Sequence, residues 1–294
     1  MRVGWIGLGR MGTPMCANII SKGFDVIVQN RSQEKVYAMA ATGATAGGSI
    51  AEIAANVDSI HTCLPDADAL DDVMLRPDGI LAGAKPGLAI VDHSTISPDQ
   101  ARRLADRAAD QGASFIDAPV SGSGVIAERG EMTIMAGGDE WAFDIARPAL
   151  DAMGTTVRLM GPSGSGSLTK LINGLIMSTT LAVSFEGIAL AAKTGVDTQA
   201  LVDVIATASG NSRAWARNAQ RIVSGEYGTD GAVRLVTKDN DLAHDVAETA
   251  GITLPVLEAA RARWHQAMEM GLGEEDISAA VKVLEAEIGS SLIR

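Results

Sequence analysis

The sequence predicts an α/β domain with a doubly wound, mostly parallel sheet, followed by an all-α domain. Three observations support this fold class. In the first half of the chain, short apolar runs typical of strands alternate with segments of helical periodicity. From Gly164 onward the strand patterns nearly vanish and helical patterns follow one another. A length of 294 residues also exceeds the usual size of one domain, so two hydrophobic cores are expected.

The first domain is predicted over residues 1–162. Its strands are predicted as short apolar runs at 2–8, 25–30, 59–64, 88–94, 113–120 and 132–138. Helical periodicity lies between many of them, at 11–22, 33–40, 49–55, 66–74, 98–111 and 140–152. Strands that alternate with helices favour an open parallel sheet with helices on both faces.

The second domain is predicted over residues 163–294, because the composition changes at "GPSGSG" (161–166). Its helices are predicted at 166–194, 198–207, 212–223, 237–250, 255–270 and 274–288. Glycine is common just past helix C-termini, and it punctuates these patterns at Gly195, Gly210, Gly225, Gly251 and Gly271.

Charge and cysteine content argue against several classes of function. The chain has 24 basic and 36 acidic residues, a formal net charge of −12, which disfavours nucleic acid or an anionic membrane as a bulk partner. A local basic pocket for a small anion remains compatible with this balance. Cys16 and Cys63 are too few for a disulfide framework, and no C-x-x-C metal spacing occurs. With no targeting signal before the first strand, we expect a cytoplasmic protein without a metal site.

The segment 171–185 contains no charged residue. It is shorter than the about 20 apolar residues that cross a bilayer, and it includes Asn, Ser and Thr, so we expect a core helix and no membrane span. Its low charge also predicts burial against a second subunit. We therefore expect a homodimer or homotetramer.

The stretch "GLGRMG" has the G-x-G-x-x-G spacing of dinucleotide-binding loops. Alone this spacing is a weak signal. Here it follows a predicted strand, opens a predicted helix and begins a β-α-β pattern, as in Rossmann-type domains. The first glycine permits a tight turn, the second lets the backbone approach a pyrophosphate, and the third allows close helix–strand packing. The predicted cofactor-binding residues in this loop are Gly7, Leu8, Gly9, Arg10, Met11 and Gly12.

The end of the second predicted strand favours NADP over NAD, with NAD still possible. An NAD site usually places an acid about 20 residues after the glycines to bind the ribose 2′-OH. Here Asn30, Arg31 and Ser32 stand at that place, so no carboxylate repels a 2′-phosphate and a guanidinium is available to bind it. Lys35, one helical turn further, adds a second cation. A solvated helix start is the alternative.

Three further loops follow predicted strands, where ligands of doubly wound sheets gather. Leu64 and Pro65 are expected to pack on the cofactor and Thr95 to hydrogen-bond it, although Ser94 or Thr95 serves equally well as a helix N-cap. In "DAPVSGSG" (117–124), closely spaced backbone N–H groups and two hydroxyls form the kind of nest that binds a carboxylate. A flexible loop without a ligand is the alternative there.

Four motifs together resemble the β-hydroxyacid dehydrogenase family, which includes 3-hydroxyisobutyrate dehydrogenase and tartronate semialdehyde reductase. They are "WIGLGRMGTPMCANI", "DAPVSGSG", "GSGSLTKLING" and "KDNDLAHDVAETAGITLPV". The resemblance extends over essentially the whole chain. It implies an active site in the cleft between a Rossmann-type and an all-α domain, and reversible, NADP-preferring reduction of a small semialdehyde acid to the β-hydroxyacid.

The same resemblance implies a loop for the substrate carboxylate, a catalytic lysine, a substrate-binding asparagine and a lysine near both ligands. In this chain these residues are Ser121, Gly122 and Ser123, then Lys170, Asn173 and Lys238. Two positions depart from the family pattern. Ser123 replaces the second glycine of the usual S-G-G, and Asn240 stands where "KDL" is more common. These departures bear on the identity of the substrate.

The chemistry explains why a lysine precedes an uncharged helical segment. Hydride transfer to an aldehyde leaves negative charge on oxygen, so reduction needs a proton donor and alcohol oxidation needs a base. Lys170 can serve as both, and Asn173, one turn along the same face, can orient the same substrate. A lysine that only extends to solvent is the alternative.

Two other functions are compatible with parts of this pattern. Imine reductases resemble the family in both domains, but they typically carry another residue at the position of Lys170. A catalytically silent dinucleotide-binding scaffold is the second, and the presence of Lys170 argues against it.

The histidines show neither a metal-ligand spacing nor a triad pattern, so we expect them to be structural or exposed. They are His61, His93, His244 and His265. His93, beside Ser94, is the best candidate for a histidine acid among them.

Overall fold

The computed structural model describes residues 1–228 and 231–292. The chain divides into two compact units, Met1–Lys170 and Leu171–Arg294. The division falls after Lys170, whereas composition alone placed the domain boundary after Pro162. Residues 293 and 294 of the predicted second domain lie outside the described residues.

A six-stranded sheet in which every pairing is parallel forms the centre of the first unit. Its strands are β1 (Arg2–Ile6), β2 (Asp25–Gln29), β3 (Thr45–Ala46), β4 (Ser59–Thr62), β5 (Ala89–Asp92) and β6 (Ser114–Asp117). Their order is β3-β2-β1-β4-β5-β6, the doubly wound order of Rossmann domains, in which strands are added on one side of β1 up to β3 and on its other side from β4 onward. The predicted fold class is confirmed.

Three more strands form a separate sheet in the order β7-β8-β9: β7 (Val120–Ser121), β8 (Met132–Ala136) and β9 (Gly154–Leu159). β8 pairs antiparallel with β7 and parallel with β9. Neither β3 nor β9 appears among the predicted strands. β3 has only two residues, both exposed, and β9 follows the preceding helix with no intervening turn.

Eight helices accompany these strands in the first unit. They are α1 (Gly12–Ser21), α2 (Gln33–Ala40), α3 (Ile50–Ala55), α4 (Ala67–Leu75), α5 (Ile80–Gly83), α6 (Pro98–Ala109), α7 (Gly124–Glu128) and α8 (Glu140–Met153). The short α5 and α7 were not predicted, because four or five residues show no helical period. Alternation along β1 directs Val3 and Trp5 into one hydrophobic core and Ile6 into the other.

Helices make up the described part of the second unit. The long α9 (Ser165–Thr194) begins in the first unit, and α10 (Thr198–Ile205), α11 (Arg213–Ser224), α12 (Val233–Thr249), α13 (Pro255–Glu269) and α14 (Lys282–Ile288) follow. Two predicted helices need correction. α12 begins at Val233 instead of residue 237, and the predicted helix 274–288 is a 3-10 helix, Ile277–Val281, followed by α14. Asp276 sets the start of the 3-10 helix by accepting hydrogen bonds from Ser278.

Among the described residues, α9 is the one helix with the length and the low polarity to cross a bilayer. The core helices of globular proteins share both properties, and part of this helix is buried within the protein. Its length and composition are therefore weak support for a membrane span.

Candidate active site

The glycine loop follows β1 at the carboxyl edge of the sheet. A side chain on Gly7, whose φ is +103°, would overlap the carbonyl oxygen of Cys63, and one on Gly12 would overlap the carbonyl oxygen of Gly7. The fold itself therefore requires these two glycines. Gly9 is different, because it is exposed and a Cβ there would meet nothing within 4 Å. A glycine that no protein contact requires fits a loop that a pyrophosphate approaches closely.

Three hydrogen bonds from side chains fix the shape of this loop. The Trp5 indole donates to the Gly7 carbonyl over 3.0 Å, and the Leu8 N–H donates to Asn30 Oδ1 over 3.0 Å. Lys35 Nζ donates to the Leu8 carbonyl over 3.1 Å. Helix α1 then begins with no side-chain cap. In its first turn the Thr13 N–H donates to the Gly9 carbonyl over 3.0 Å and Pro14 has no N–H, so the loop residues before Thr13 are the ones that face an anion at this helix start.

The predicted binding residues for the adenosine end of the cofactor lie between β2 and α2. Asn30 is half-buried and bonded to the glycine loop, whereas Arg31 and Ser32 are exposed. Ser32 is the N-cap residue of α2 but its side chain makes no capping bond. Two cations therefore accompany the glycine loop: Lys35, which is bonded to the Leu8 carbonyl, and Arg31, which follows the loop-bonded Asn30. This pair of positive charges suits a 2′-phosphate.

A buried aspartate joins the loops that follow β4 and β5. Asp92 Oδ1 accepts from Thr62 Oγ1 at 2.6 Å and from Ser94 Oγ at 2.7 Å, and Ser94 Oγ accepts from the Leu64 N–H at 3.0 Å. Ser94 therefore bridges two loops, and neither it nor Thr95 caps helix α6. The cap is Ser97, which accepts from the Gln100 N–H.

Asp92 carries an unusual charge environment. It is fully buried, and burial raises its pKa to about 6, against the opposing effect of the hydrogen bonds from Thr62 and Ser94. Asp117, its register partner on β6, contributes to the rise. The second oxygen, Oδ2, has no hydrogen-bond partner among the described residues.

Two of the four histidines form a buried stack with Trp5 beneath this edge. The ring centroids of Trp5, His61 and His93 are 5.3–5.7 Å apart. His93 Nδ1 lies 2.8 Å from the Ala118 carbonyl, so it donates, and the remaining contacts then run in one direction from Ser59 through His61 to His93. Burial lowers the pKa of His93 to about 4 and that of His61 well below its ordinary value, so both rings are neutral at pH 7. His93 is thus committed to structural bonds.

The loop predicted to bind a carboxylate is held between β7 and α7. Ser121 ends β7, and Ser123, mostly buried, is the N-cap residue of α7 without a side-chain capping bond. Gly122 has φ +154°, and a Cβ there would lie within 3 Å of Met132 and Ile126. The loop is therefore packed on β8 and α7, which argues against the flexible-loop alternative.

Helix α9 carries the predicted catalytic lysine in its second turn. Lys170 is half-buried, and Asn173 is exposed one turn further along the same helix. The carboxylate of Asp117, at the end of β6, accepts hydrogen bonds from the Gly164 and Ser167 N–H groups at the helix start. The Asp117 carboxylate thus joins the end of β6, four residues before Ser121, to the first turn of α9, which precedes Lys170.

The first unit brings together most of the predicted site at the carboxyl edge of its sheet: the glycine loop, residues 30–32, Leu64, Pro65, Thr95, the 121–123 loop and the start of α9. Asn173 and Lys238 belong to the second unit. There Lys238 Nζ lies 3.7 Å from Asp239 Oδ1, and Asn240 accepts from Ser178 Oγ at 2.7 Å. Asp241, on the same helix as Lys238, binds Arg261 and His265.

Sequence reasoning did not identify three residues that shape this edge. Trp5 holds the glycine loop, Asp92 joins two loops, and Asp117 holds the start of α9. The available signal was the acid that ends each of the apolar strands "AIVD" and "FID". An aspartate at the end of a fully buried strand must find hydrogen-bond donors, so it indicates a loop that is tied down.

Two family models match this chain, one on each part. Residues 2–161 match the NAD binding domain of 6-phosphogluconate dehydrogenase. Residues 164–284 match the model described as NAD-binding of NADP-dependent 3-hydroxyisobutyrate dehydrogenase.

Individual proteins match over nearly their full length. 2-(Hydroxymethyl)glutarate dehydrogenase of Eubacterium barkeri is 35% identical over 293 residues, which are 99% of this chain and 97% of that protein. The crystal structure of 3-hydroxyisobutyrate dehydrogenase from Salmonella typhimurium has a TM-score of 0.86 at 33% identity, over 96% of this chain and 99% of that one. The structure of Psf3 in complex with NADP+ has a TM-score of 0.85 at 28% identity, over 96% and 99% of the two chains.

Proposed function

Because this chain belongs to the β-hydroxyacid dehydrogenase family, we propose that it reversibly reduces a small semialdehyde acid with NADPH, using Lys170 as general acid and base. The resemblance inferred from the four motifs is confirmed. So is the coarser activity, that of an NAD(P)-dependent oxidoreductase acting on the CH–OH group of small hydroxyacids. The NADP preference, the semialdehyde class and the role of the lysine form the proposal.

The position of Lys170 is the observation that supports the proposal most directly. It is a half-buried cation in the second turn of α9, and the first turn of that helix is bonded to Asp117, four residues before Ser121. An ammonium on a segment that is bonded to the strand before the proposed carboxylate loop suits protonation of the oxygen of a small acid's carbonyl group.

Different residues are proposed to bind different parts of the cofactor. The N–H groups of residues 9–12 suit the pyrophosphate, because those of Gly7 and Leu8 are bonded to Gln29 and Asn30, and Arg31 suits a 2′-phosphate. Leu64, Pro65 and Thr95 flank the nicotinamide end. When bound, the cofactor supplies or accepts the hydride.

The substrate is held by a second group of residues in this proposal. Ser121, Gly122 and Ser123 bind its carboxylate, and Asn173 and Lys238 assist in orienting it. Lys170 Nζ donates a proton to the carbonyl oxygen in reduction and accepts one from the hydroxyl in oxidation. Ser123, which replaces a glycine of the family pattern, adds a hydroxyl at the carboxylate loop and bears on which acid is accepted.

A panel of aldehydes tests the proposed reaction. Purified protein should oxidise NADPH with at least one of the succinic, methylmalonic, tartronic or sulfo-substituted semialdehydes. A neutral aldehyde of similar size should react poorly, because the donors of the carboxylate loop are then left without a partner. Turnover of cyclic imines alone would favour an imine reductase, and no turnover together with tight NADPH binding would favour a silent scaffold.

The cofactor preference rests on Arg31. The variant Arg31→Ala should raise the KM for NADPH at least about tenfold, about 1.4 kcal/mol, with little change for NADH. Lys35→Met is the matched comparison, because Lys35 also holds the Leu8 carbonyl and its loss should weaken both cofactors. Equal losses with both cofactors in Arg31→Ala would contradict the NADP preference.

We also propose a homodimer or homotetramer, in the cytoplasm, built on one face of α9. The exposed apolar residues of this helix recur at intervals of four and seven: Leu168, Ile172, Ile176, Val183 and Leu190. Val183→Glu should reduce the mass measured by light scattering, whereas Tyr37→Glu, at an equally exposed residue of the first unit, should not. An unchanged mass in Val183→Glu would place the interface elsewhere.

The free thiols of Cys16 and Cys63 suit a reducing compartment, in line with the proposed cytoplasmic location.

A further inference from the structure

The start of α9 is capped from a distant strand. Asp117 Oδ1 accepts the Gly164 N–H at 2.8 Å, and Oδ2 accepts the Ser167 N–H at 2.7 Å. Helix N-termini usually find such acceptors in the residue just before the helix. Here the acceptor is 47 to 50 residues earlier in the chain, fully buried at the end of β6.

Two glycines let the helix approach the strand this closely. A Cβ on Gly166 would overlap the carbonyl oxygens of Asp117 and Met135, and a Cβ on Gly137 would lie 2.7 Å from the Gly166 nitrogen. Asp117 and Gly137 also exchange backbone hydrogen bonds of 3.0 and 2.8 Å. The first turn of α9 is therefore packed backbone to backbone against the ends of β6 and β8.

The charge of Asp117 suits this contact. Burial raises the pKa of Asp117, while the N–H groups of Gly164 and Ser167 oppose that rise. Both oxygens accept N–H donors, which is the arrangement of an ionised carboxylate. A negative charge at a helix N-terminus is further stabilised by the helix dipole.

One carboxylate thus connects the two chain segments that carry the proposed chemistry. Ser167 precedes Lys170 by one turn of the helix, about 5 Å of rise. On the other side, Asp117 precedes Ser121 by four residues, through Pro119 and the short β7. A shift of the helix start relative to β6 would move the ammonium relative to the carboxylate loop, and a misplacement of about 1 Å can cost 100-fold in rate.

We propose that Asp117 is a positioning residue of this enzyme: by bonding the first turn of α9 to the end of β6, it fixes Lys170 relative to the 121–123 loop. The proposal rests on the proposed role of Lys170 in proton transfer. It assigns Asp117 no contact with substrate or cofactor.

A double-mutant cycle between Asp117 and Lys170 tests this role. In Asp117→Asn the amide offers one acceptor to two N–H donors, so one capping bond is lost. Single-turnover reduction, followed by NADPH absorbance, should slow roughly 10- to 100-fold, with KM for the aldehyde and the Kd for NADPH changed less than about threefold. In a Lys170→Ala background the same substitution should slow the reaction by less than about threefold, because the positioned group is already absent.

Asp276→Asn is the matched control. Asp276 is also buried and accepts backbone N–H groups at a helix start, but it belongs to the second unit. Both variants should lower Tm, and only Asp117→Asn should lower the rate of the folded protein. If Asp117→Asn does not fold, Gly166→Ala displaces the same helix start with the carboxylate intact and should show the same non-additivity with Lys170→Ala.

The outcomes separate two failures. A wild-type rate in the folded Asp117 variant, or equal losses in the presence and absence of Lys170, would overturn the positioning role alone. A wild-type rate in Lys170→Ala would overturn the proposed function, and the positioning role with it.

Discussion

The two units bury polar groups in opposite ways. In Met1–Lys170, ionisable side chains lie fully inside the protein at the ends of β4, β5 and β6: His61, His93, Asp92 and Asp117. In Leu171–Arg294, the large core cluster is aliphatic and aromatic, and ion pairs such as Arg234–Glu274 lie at the surface. The first unit holds its shape at this edge by buried hydrogen bonds to several ionisable side chains. The second relies mainly on apolar contact, and among its described residues Asp276 is the one buried carboxylate.

The difference follows from what each architecture leaves unsatisfied. A helix satisfies its own backbone except at the ends, so a helical unit needs few buried acceptors. Parallel strands all end at one edge, and the loops that follow them need partners for their N–H groups. Asp92 and Asp117 supply those acceptors, which fixes the loops on which ligands of doubly wound sheets bind. In the first unit, buried ionisable side chains therefore mark the edge at which the proposed function is placed.

The largest effect on stability is expected from the apolar core of the second unit. Trp264 is 1% exposed and packs edge-on against Phe185, with ring centroids 6.0 Å apart. Trp264→Ala should destabilise this unit by about 3–5 kcal/mol, the usual cost of removing a large buried side chain. Denaturant unfolding at pH 5 and pH 8 should show the same loss. A loss that depends strongly on pH would break the contrast between the two units.

The buried histidines should make the first unit sensitive to acid. Burial lowers the pKa of His93 to about 4 and that of His61 well below its ordinary value, so the native state keeps both neutral while the unfolded chain takes up protons below about pH 6.5. Their contribution is present above pH 6.5 and is lost as pH falls towards 4, about 3 kcal/mol for His93 alone.

Replacement of both histidines by glutamine tests this sign. The double variant His61→Gln, His93→Gln should be less stable than the wild type at pH 7.5, because the substitutions remove the ring stack. Its stability should then fall less than that of the wild type between pH 6.5 and 4. An acid slope as steep as that of the wild type would assign the loss to other groups.

Asp92 should act with the opposite sign. Its pKa is raised to about 6 in the folded state, so its favourable contribution is present below about pH 3.8 and is lost as pH rises through 6. Asp92→Asn keeps an acceptor for Thr62 and Ser94 and removes the buried charge. Relative to the wild type, this variant should gain up to about 3 kcal/mol between pH 4 and pH 7. A difference that stays constant over this range would show that the charge is not what burial penalises.

The sequence was sufficient to predict the parts of the fold that repeat a local pattern. The four strands and five helices predicted within 2–111, and the long α9, have clear apolar periods, and their predicted limits are close to the observed ones. What it did not reveal depends on contacts between distant segments. β3 and β9 exist because a neighbouring strand pairs with them. The split of 274–288 follows from Asp276, which forms an isolated antiparallel β-bridge with Ala232.

The candidate site shows the same division. Close contacts within the fold require Gly7 and Gly12, and the spacing of these glycines in the sequence predicted the dinucleotide-binding loop. Asp117 has no local signature beyond an acid after an apolar strand, because its donors lie 47 and 50 residues away. The sequence suggested a helix N-cap for Ser94, and only the Leu64 N–H and Asp92 contacts show that it joins two loops.

Stopped-flow hydride transfer in Lys170→Ala tests the central claim most directly. The account predicts a rate lower by roughly 10² to 10⁴, with NADPH affinity nearly unchanged, because general acid–base assistance contributes in that range. Lys170→Arg, which keeps the charge and cannot release its proton in a usable range, should fail in alcohol oxidation. Lys193→Ala, at the other end of the same helix, is the control and should retain the wild-type rate. A wild-type rate in Lys170→Ala would contradict the account and make this lysine structural.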